Sequence, residues 1–199
     1  MSTRRDFLAL AGASAAAVAG CGSPGASLPA PTLGDADAPV TVLAFEDFAC
    51  PHCRRFALDV LPRLRSEYVG PGTVRYEHHD FPIPVHERWS WRVPSAARAV
   101  QAELGEEAFF AYAKRLYEHQ QSYSMELLGE LAGEAGADPG TVRRAAREET
   151  YRDTVEADRR RGRQLGVTGT PAVFVDGDLL DSYAYDAISD AIDSAVENN

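Results

Sequence analysis

The chain has 199 residues, 45% of them apolar, a composition that suits one domain with a sizeable core and shows no internal repeat. Thirty acidic residues against twenty basic ones give a formal net charge of −10. Such a surface repels nucleic-acid phosphates and anionic headgroups, so nucleic acid and a direct membrane-surface contact are both excluded as main partners.

Residues 1–21 read as a targeting segment that takes no part in the fold. Thr3-Arg4-Arg5-Asp6-Phe7-Leu8 sets paired arginines before an apolar run, which resembles a twin-arginine export signal. Phe7 to Gly20 is too short and too rich in Ala and Gly to span a bilayer, which takes ~20 strongly apolar residues. The run ends in Val18-Ala19-Gly20-Cys21, and small residues before a cysteine resemble a lipobox with Cys21 as the lipid anchor. The expected location is therefore extracytoplasmic, on the outer face of the cytoplasmic membrane, with that lipid as the only membrane contact. Residues 22–34 (GSPGASLPAPTLG) read as a flexible tether, leaving 35–199 as the folded domain. Of three cysteines, Cys50 and Cys53 then remain as a pair, in a compartment where disulfides persist.

Val40 to Phe45 (VTVLAF) is a short β-branched and apolar run, read as a buried strand. Cys50 to Tyr68 follows as a helix, with Phe56, Val60, Leu61, Leu64 and Tyr68 on one face and a kink expected at Pro62. Gly70-Pro71-Gly72 ends it. Thr73 to Phe81 reads as a second strand, broken by Pro82-Ile83-Pro84. From about 94 to 165 the pattern is helical, with breaks near Gly105, Ser122–Ser124 and Gly136–Asp138. Asp138-Pro139 reads as an N-cap followed by proline at the first helical position. Gly166 stops the block. Ala172 to Val175, an Asp176-Gly177-Asp178 turn and Leu179 to Asp181 read as a hairpin. Tyr183 to Val196 closes the chain as a helix with Ile188, Ile192 and Val196 inward.

The chemistry lies at Cys50-Pro51-His52-Cys53. Residues three apart in a first helical turn are neighbours, close enough to bridge. Pro51 suits the first helical position because its missing N–H would have been unpaired there. Cys50 then sits at the positive helix end, where free N–H groups stabilise a thiolate. His52, if protonated, adds positive charge, as do Arg54 and Arg55. A stabilised thiolate makes the disulfide a stronger oxidant. Cys50 is read as the nucleophile and Cys53 as the buried resolving partner; the two sulfurs carry the electrons, so no cofactor is called for.

AFEDFACPHC, followed far downstream by GVTGTPAVFVDG, resembles the DsbA-like branch of the thioredoxin superfamily across the whole chain after the tether. The resemblance implies an α/β fold, a thioredoxin-like sheet with a helical subdomain inserted at about 94–165. It implies a cis Pro171 against the disulfide and a Thr170 backbone that binds substrate chain as an added strand. It also implies protein dithiol–disulfide exchange on reduced or misfolded exported proteins, reoxidised by a quinone-linked membrane partner. Introduction of disulfides is the leading direction, with a reductase or isomerase as the alternative. Two features depart from the pattern. The family's buried acid, six positions before the first cysteine, is Ala44 here, with Glu46 and Asp47 as nearby acids on opposite strand faces. Thr170 occurs in both oxidant and isomerase members.

A competing reading is a metal-binding chaperone, in which the two thiolates join histidines among His78, His79 and His86. Adjacent strand residues point to opposite faces, so at most one of His78 and His79 reaches the cysteines. No metal site is expected. Trp89 and Trp91 read as packing or the rim of a peptide groove, and Arg159-Arg160-Arg161 with Arg163 as partners of carboxylates such as Glu156.

Overall fold

The computed structural model describes residues 28–83 and 85–198. The expected export signal with Cys21, and residues 22–27 of the expected tether, lie outside this range, as does Pro84. β2 (Val40–Glu46) is buried almost throughout, because β3 (Val74–Asp80) pairs parallel on one side and β4 (Ala172–Val175) antiparallel on the other. A strand flanked on both sides and covered on both faces reads as a continuous apolar run. The five-stranded sheet has the order β1-β3-β2-β4-β5.

The outer strand β1 (Thr32–Leu33) corrects the tether reading. It pairs antiparallel with β3 and buries Leu33. Upstream, the Pro31 carbonyl accepts from His78 N–H at 2.9 Å, and Leu28 N–H donates to Thr154 Oγ1 at 3.4 Å. The segment 28–34 thus belongs to the domain. Its Pro/Ala composition carries no strand period; the open edge of β3 orders it.

The helix after Cys50 is not uniform. α1 (Pro51–Arg55) passes through a π turn (Phe56–Val60) into α2 (Leu61–Leu64), then a second π segment (Arg65–Val69). Leu61 N–H reaches back five residues to Phe56 O, directly before Pro62, which has no N–H to give. A wide turn thus accommodates the proline within the helix. It also rotates the inward stripe: Phe56, Ala57, Val60, Leu64 and Val69 are buried, whereas Leu61 and Tyr68 are only partly so.

The inserted block comprises α3 (Trp89–Leu104), α4 (Glu106–Glu118), α5 (Met125–Glu134), α6 (Pro139–Glu148) and α7 (Arg152–Gln164). It begins five residues before the expected boundary, with Pro94 inside α3. Gly105 and Gly136 separate helices at positive φ, and Asp138 caps α6 by accepting from Thr141 N–H. The α6–α7 break was not legible, because Glu149 takes the left-handed conformation (φ 51°) without a glycine. Gly162 lets α7 lie on the sheet: a Cβ there would sit 2.7 Å from the Phe81 ring and 2.9 Å from Phe45. The terminal hairpin is tighter than expected. Asp176 and Gly177, both at positive φ, form a two-residue turn into β5 (Asp178–Leu179). In α8 (Tyr185–Asn198), Ile188 and Ile192 are buried, but Ala191 and Ala195 complete the stripe and Val196 is 43% exposed.

A row of buried charges ties the block to the sheet. Arg98 of α3 is 0% exposed and donates to Asp80 Oδ2 (2.8 Å), Asp158 Oδ2 (2.6 Å), Gln101 Oε1 (3.0 Å) and Pro29 O (3.0 Å). Asp80 Oδ1 faces His78 Nε2 at 3.2 Å, and His78 Nδ1 faces Glu46 Oε1 at 3.1 Å. Asp158 Oδ1 meets His79 Nδ1 at 3.0 Å on the opposite face of β3. Burial alone would lower the His78 pKa, but its bonds to Asp80 and Glu46 outweigh it and raise the value to about 9.

Replacing Arg98 with Met removes the guanidinium shared by the buried Asp80 and the partly buried Asp158, and denaturant unfolding should show a loss of about 3–5 kcal/mol. For His78 the folded state holds the proton more tightly than the unfolded chain. Its contribution is complete below about pH 6.5 and is lost as pH rises through about 9. In the oxidised protein, where the cysteines do not titrate, the denaturation midpoint should fall across that window, and His78→Gln should remove much of the slope.

Candidate active site

β2 ends at Glu46, and the turn from Asp47 to Cys50 is built by Asp47 itself. Its carbonyl accepts from Cys50 N–H at 2.9 Å, and its carboxylate accepts from Ala49 N–H (2.8 Å) and Ile83 N–H (2.9 Å). Cys50 is the N-cap of α1 in extended geometry, with Pro51 as the first helical residue. Both cysteines carry free thiols; Cys50 is 3% exposed and Cys53 0%.

The two sulfurs differ sharply in acidity. The Cys53 thiol bonds to the Cys50 sulfur, and that bond, against the opposing effect of burial, brings the Cys50 pKa down to about 5. The backbone N–H groups of Cys53 and His52 add to the effect. Burial, the Cys50 contact and the charges of Glu46 and Cys50 push Cys53 well above the usual thiol range. Asp47 N–H donates to Cys53 Sγ at 3.4 Å.

Pairing of β2 with β4 brings the downstream motif to the cysteines. The Thr170–Pro171 peptide is cis, and the Cys50 thiol lies 3.4 Å from Thr170 O. His52 turns outward: its Nδ1 meets the Tyr183 hydroxyl at 2.9 Å, while its backbone N–H serves Cys50. Arg54 points away from the sulfurs and donates to Tyr117 O.

Ala44 is buried in mid-strand beside no acid of its own, yet both neighbouring acids are buried. Glu46 ends β2 with Oε1 accepting from the Tyr76 hydroxyl (2.9 Å) and Oε2 from the Tyr117 hydroxyl (3.0 Å). Asp47 has left the strand, so the opposite-face argument does not govern it. Burial outweighs its two backbone bonds and raises its pKa to about 6. The sequence reading missed the clamp from the helical block. Gln120 Nε2 donates to the carbonyls of Phe48 and Cys50, both at 2.8 Å, and the Tyr123 hydroxyl to Phe48 O at 3.1 Å. Polar residues after a helix carry no local signal of such a role.

The donor set does not fit the metal-chaperone reading. His78 is held by Glu46 and Asp80, His79 by Asp158, His52 by Tyr183, and His86 Nδ1 accepts from Trp89 N–H. Among the described residues no three His, Cys, Asp or Glu side chains converge as a metal site. Trp91 packs under the Arg152 guanidinium, 4.2 Å from the ring centroid.

Alkylation of the reduced protein by iodoacetamide should titrate with a midpoint near 5 through Cys50, and Cys50→Ser should abolish that phase. A midpoint in the ordinary thiol range of ~8.5 would contradict the environment described.

A Thioredoxin family model matches residues 27–194. The disulfide bond formation protein D of Bacillus subtilis (strain 168) is 28% identical over 174 residues, covering 84% of this chain and 77% of that protein. A probable disulfide bond formation protein D from Bacillus anthracis is 29% identical, covering 83% of this chain and 78% of that protein. Among solved structures, oxidised BdbD from Bacillus subtilis superposes with a TM-score of 0.78 at 27% identity, over 84% of this chain and 93% of that one. Chlamydia trachomatis DsbA shares the fold, with a TM-score of 0.77 at 20% identity over 89% and 97% of the two chains. With its paired cysteines at the start of a helix and a cis-proline loop against them, the chain belongs to the thioredoxin family, in its DsbA-like branch of thiol–disulfide oxidoreductases.

Proposed function

We propose that this oxidoreductase works outside the cytoplasm, tethered by lipid at Cys21, and introduces disulfides into reduced exported proteins. The observation that carries the oxidising direction is the acidity of Cys50, held near 5 beside a buried, weakly acidic Cys53. A stabilised thiolate favours the reduced enzyme, which makes the Cys50–Cys53 disulfide a strong electron acceptor and Cys50 a good leaving group. The names of the Bacillus relatives, disulfide bond formation proteins, support the same direction.

In this reading a substrate thiolate attacks Cys50 Sγ of the oxidised pair. A Cys50–substrate disulfide forms and Cys53 departs with the bonding electrons. A second substrate thiolate then attacks the substrate sulfur, closing its disulfide and releasing the Cys50 thiolate. Thr170 and Pro171 offer the backbone edge along which the substrate chain lies, next to Cys50. Pro51 and His52 shape the first turn that faces it. A quinone-linked membrane partner would return the pair to the disulfide. The reverse flow, reductase or isomerase, is the alternative that the potential separates.

The reduction potential should lie in the range of ~−180 to −120 mV; a value near ~−270 mV would mark a reductant. Cys50→Ser should abolish thiol exchange, and Cys53→Ser should accumulate mixed disulfides with model substrates on non-reducing gels. A Cys53→Ser protein that traps nothing would overturn the assigned roles.

A further inference from the structure

Four arginines crowd one recess of an otherwise acidic protein. The recess, about 300 Å³, lies between the first turn of α3 and the length of α7, lined by Trp91, Arg152, Glu156, Arg159, Arg160 and Arg163. The carboxylate among them is already engaged: Arg152 Nε lies 2.9 Å from one oxygen of Glu156, and Arg160 Nη1 lies 4.0 Å from the other. Helical spacing suggested that the basic run from Arg159 to Arg163 would pair with carboxylates such as Glu156. Of that run, only Arg160 reaches Glu156.

Arg159 and Arg163 are left without an anion. They stand one turn apart on the same face of α7, and neither has a carboxylate within ion-pair distance among the described residues. The Arg159 guanidinium lies 5.8 Å from the Trp91 ring centroid, and its Nε is buried with no hydrogen-bond partner among those residues. A buried donor of this kind is costly until something accepts from it. Burial and the Arg163 charge also lower the Arg159 pKa, as expected where cations are held together with too little negative charge. The larger cleft, about 690 Å³ between α4 and the helix that follows Cys53, differs in this respect. Its buried Glu46 and His78 are hydrogen-bonded within the protein.

Both walls of the arginine recess lead to the redox site. From α7 the chain turns at Gly166, with Val167 N–H folded back onto Gly162 O at 2.9 Å, and enters the Thr170–Pro171 loop. The stretch from Arg163 to Thr170 spans at most ~25 Å even if fully extended, so an extended polypeptide of about seven residues covers the same distance. From α3, Trp89 packs against Tyr123 with ring centroids 5.9 Å apart, and Tyr123 holds the Phe48 carbonyl of the turn before Cys50. A chain lying along Thr170 can therefore place one of its side chains in the recess.

We propose that Arg159 and Arg163, backed by Trp91, hold a carboxylate side chain of the polypeptide whose thiols are exchanged at Cys50. The proposal rests on the reading that this enzyme acts on protein thiols, and it names a class of substrate: chains with Asp or Glu within about seven residues of the reacting cysteine. Guanidinium forks match the two oxygens of a carboxylate, and the pair supplies the positive charge that the net −10 of the molecule otherwise denies an acidic chain. A lipid headgroup fits less well. The same net charge opposes the approach of an anionic bilayer, whereas a single extended chain enters the recess alone.

The test is single-turnover oxidation of reduced two-cysteine peptides by the oxidised full-length protein, followed by quenched-flow mass analysis. The peptides differ only in carrying Glu, Gln or Lys at the positions flanking the cysteines. The half-saturating concentration should be about 5–10-fold lower for the Glu peptide than for the Gln peptide, the scale of a charge-assisted pair at a part-exposed site, with limiting rates alike. Arg159→Gln with Arg163→Gln should erase that ratio, and Arg159→Glu with Arg163→Glu should invert it in favour of the Lys peptide. Arg144→Gln with Arg147→Gln changes the net charge equally at exposed positions of α6 and should keep the wild-type ratio. Equal half-saturation by all three peptides in the wild type overturns the proposal. So does a preference that survives in Arg159→Gln with Arg163→Gln, or one lost equally in the α6 variant. Should the Arg159 variants fail to fold, Arg163→Glu at its exposed position decides, and an unchanged ratio there overturns the proposal. Sedimentation of Cys21→Ser protein with phosphatidylglycerol vesicles that depends on these arginines, without any peptide preference, assigns the recess to headgroups and likewise overturns it. Failure of the protein-thiol reading shows separately, as no oxidation of any peptide.

Discussion

A row of charges passes through the interior from Asp158 through Arg98, Asp80 and His78 to Glu46, and most of the architecture is arranged to keep it paired. Buried ions are tolerated only when their partners and hydrogen bonds are complete. Completing this row takes side chains from β2, β3, α3 and α7, together with the Pro29 carbonyl of the N-terminal segment. The helical block is therefore bonded into the sheet and cannot act as a loosely attached cap. The row ends at Glu46, the last residue of β2, where the Tyr76 and Tyr117 hydroxyls complete the pairing of its carboxylate.

The two cysteines gain opposite properties from positions only three residues apart. Cys50 lies at the helix start, where N–H groups, the Cys53 thiol and Thr170 converge on one sulfur. Cys53 lies one turn inward and fully buried, where desolvation, the Cys50 contact and the Glu46 charge disfavour a thiolate. Hydrogen bonds win at the first site and burial wins at the second. The helical block sharpens this contrast, since Gln120, Tyr123 and Tyr117 hold the turn and helix that carry both sulfurs.

Much of the catalytic centre was legible because its chemistry is local. Cysteines three apart, a proline at the first helical position and a strand immediately before them specify a redox turn from neighbouring residues alone. The Gly-Thr-Pro motif before a hairpin and the order of strand, helix, strand and long helical block extended that reading to the fold. The errors fall where distance matters. Segment 28–34 resembled a linker until the edge of β3 paired with it. The stripe on the helix after Cys50 drifted because wide turns around Pro62 change the helical period.

The linear sequence thus determined the fold class and singled out Cys50 and Cys53 as the candidate redox pair at a helix start, since these follow from residue type and short spacing. It was silent on the Tyr76 and Tyr117 partners of Glu46, the Gln120 clamp, the Tyr183 partner of His52 and the cleft between α4 and the redox helix. Each of those joins residues between roughly 30 and 130 positions apart. Such meetings leave no period or motif in the chain, because packing of the helical block on the sheet creates them only once the buried charges have found their partners.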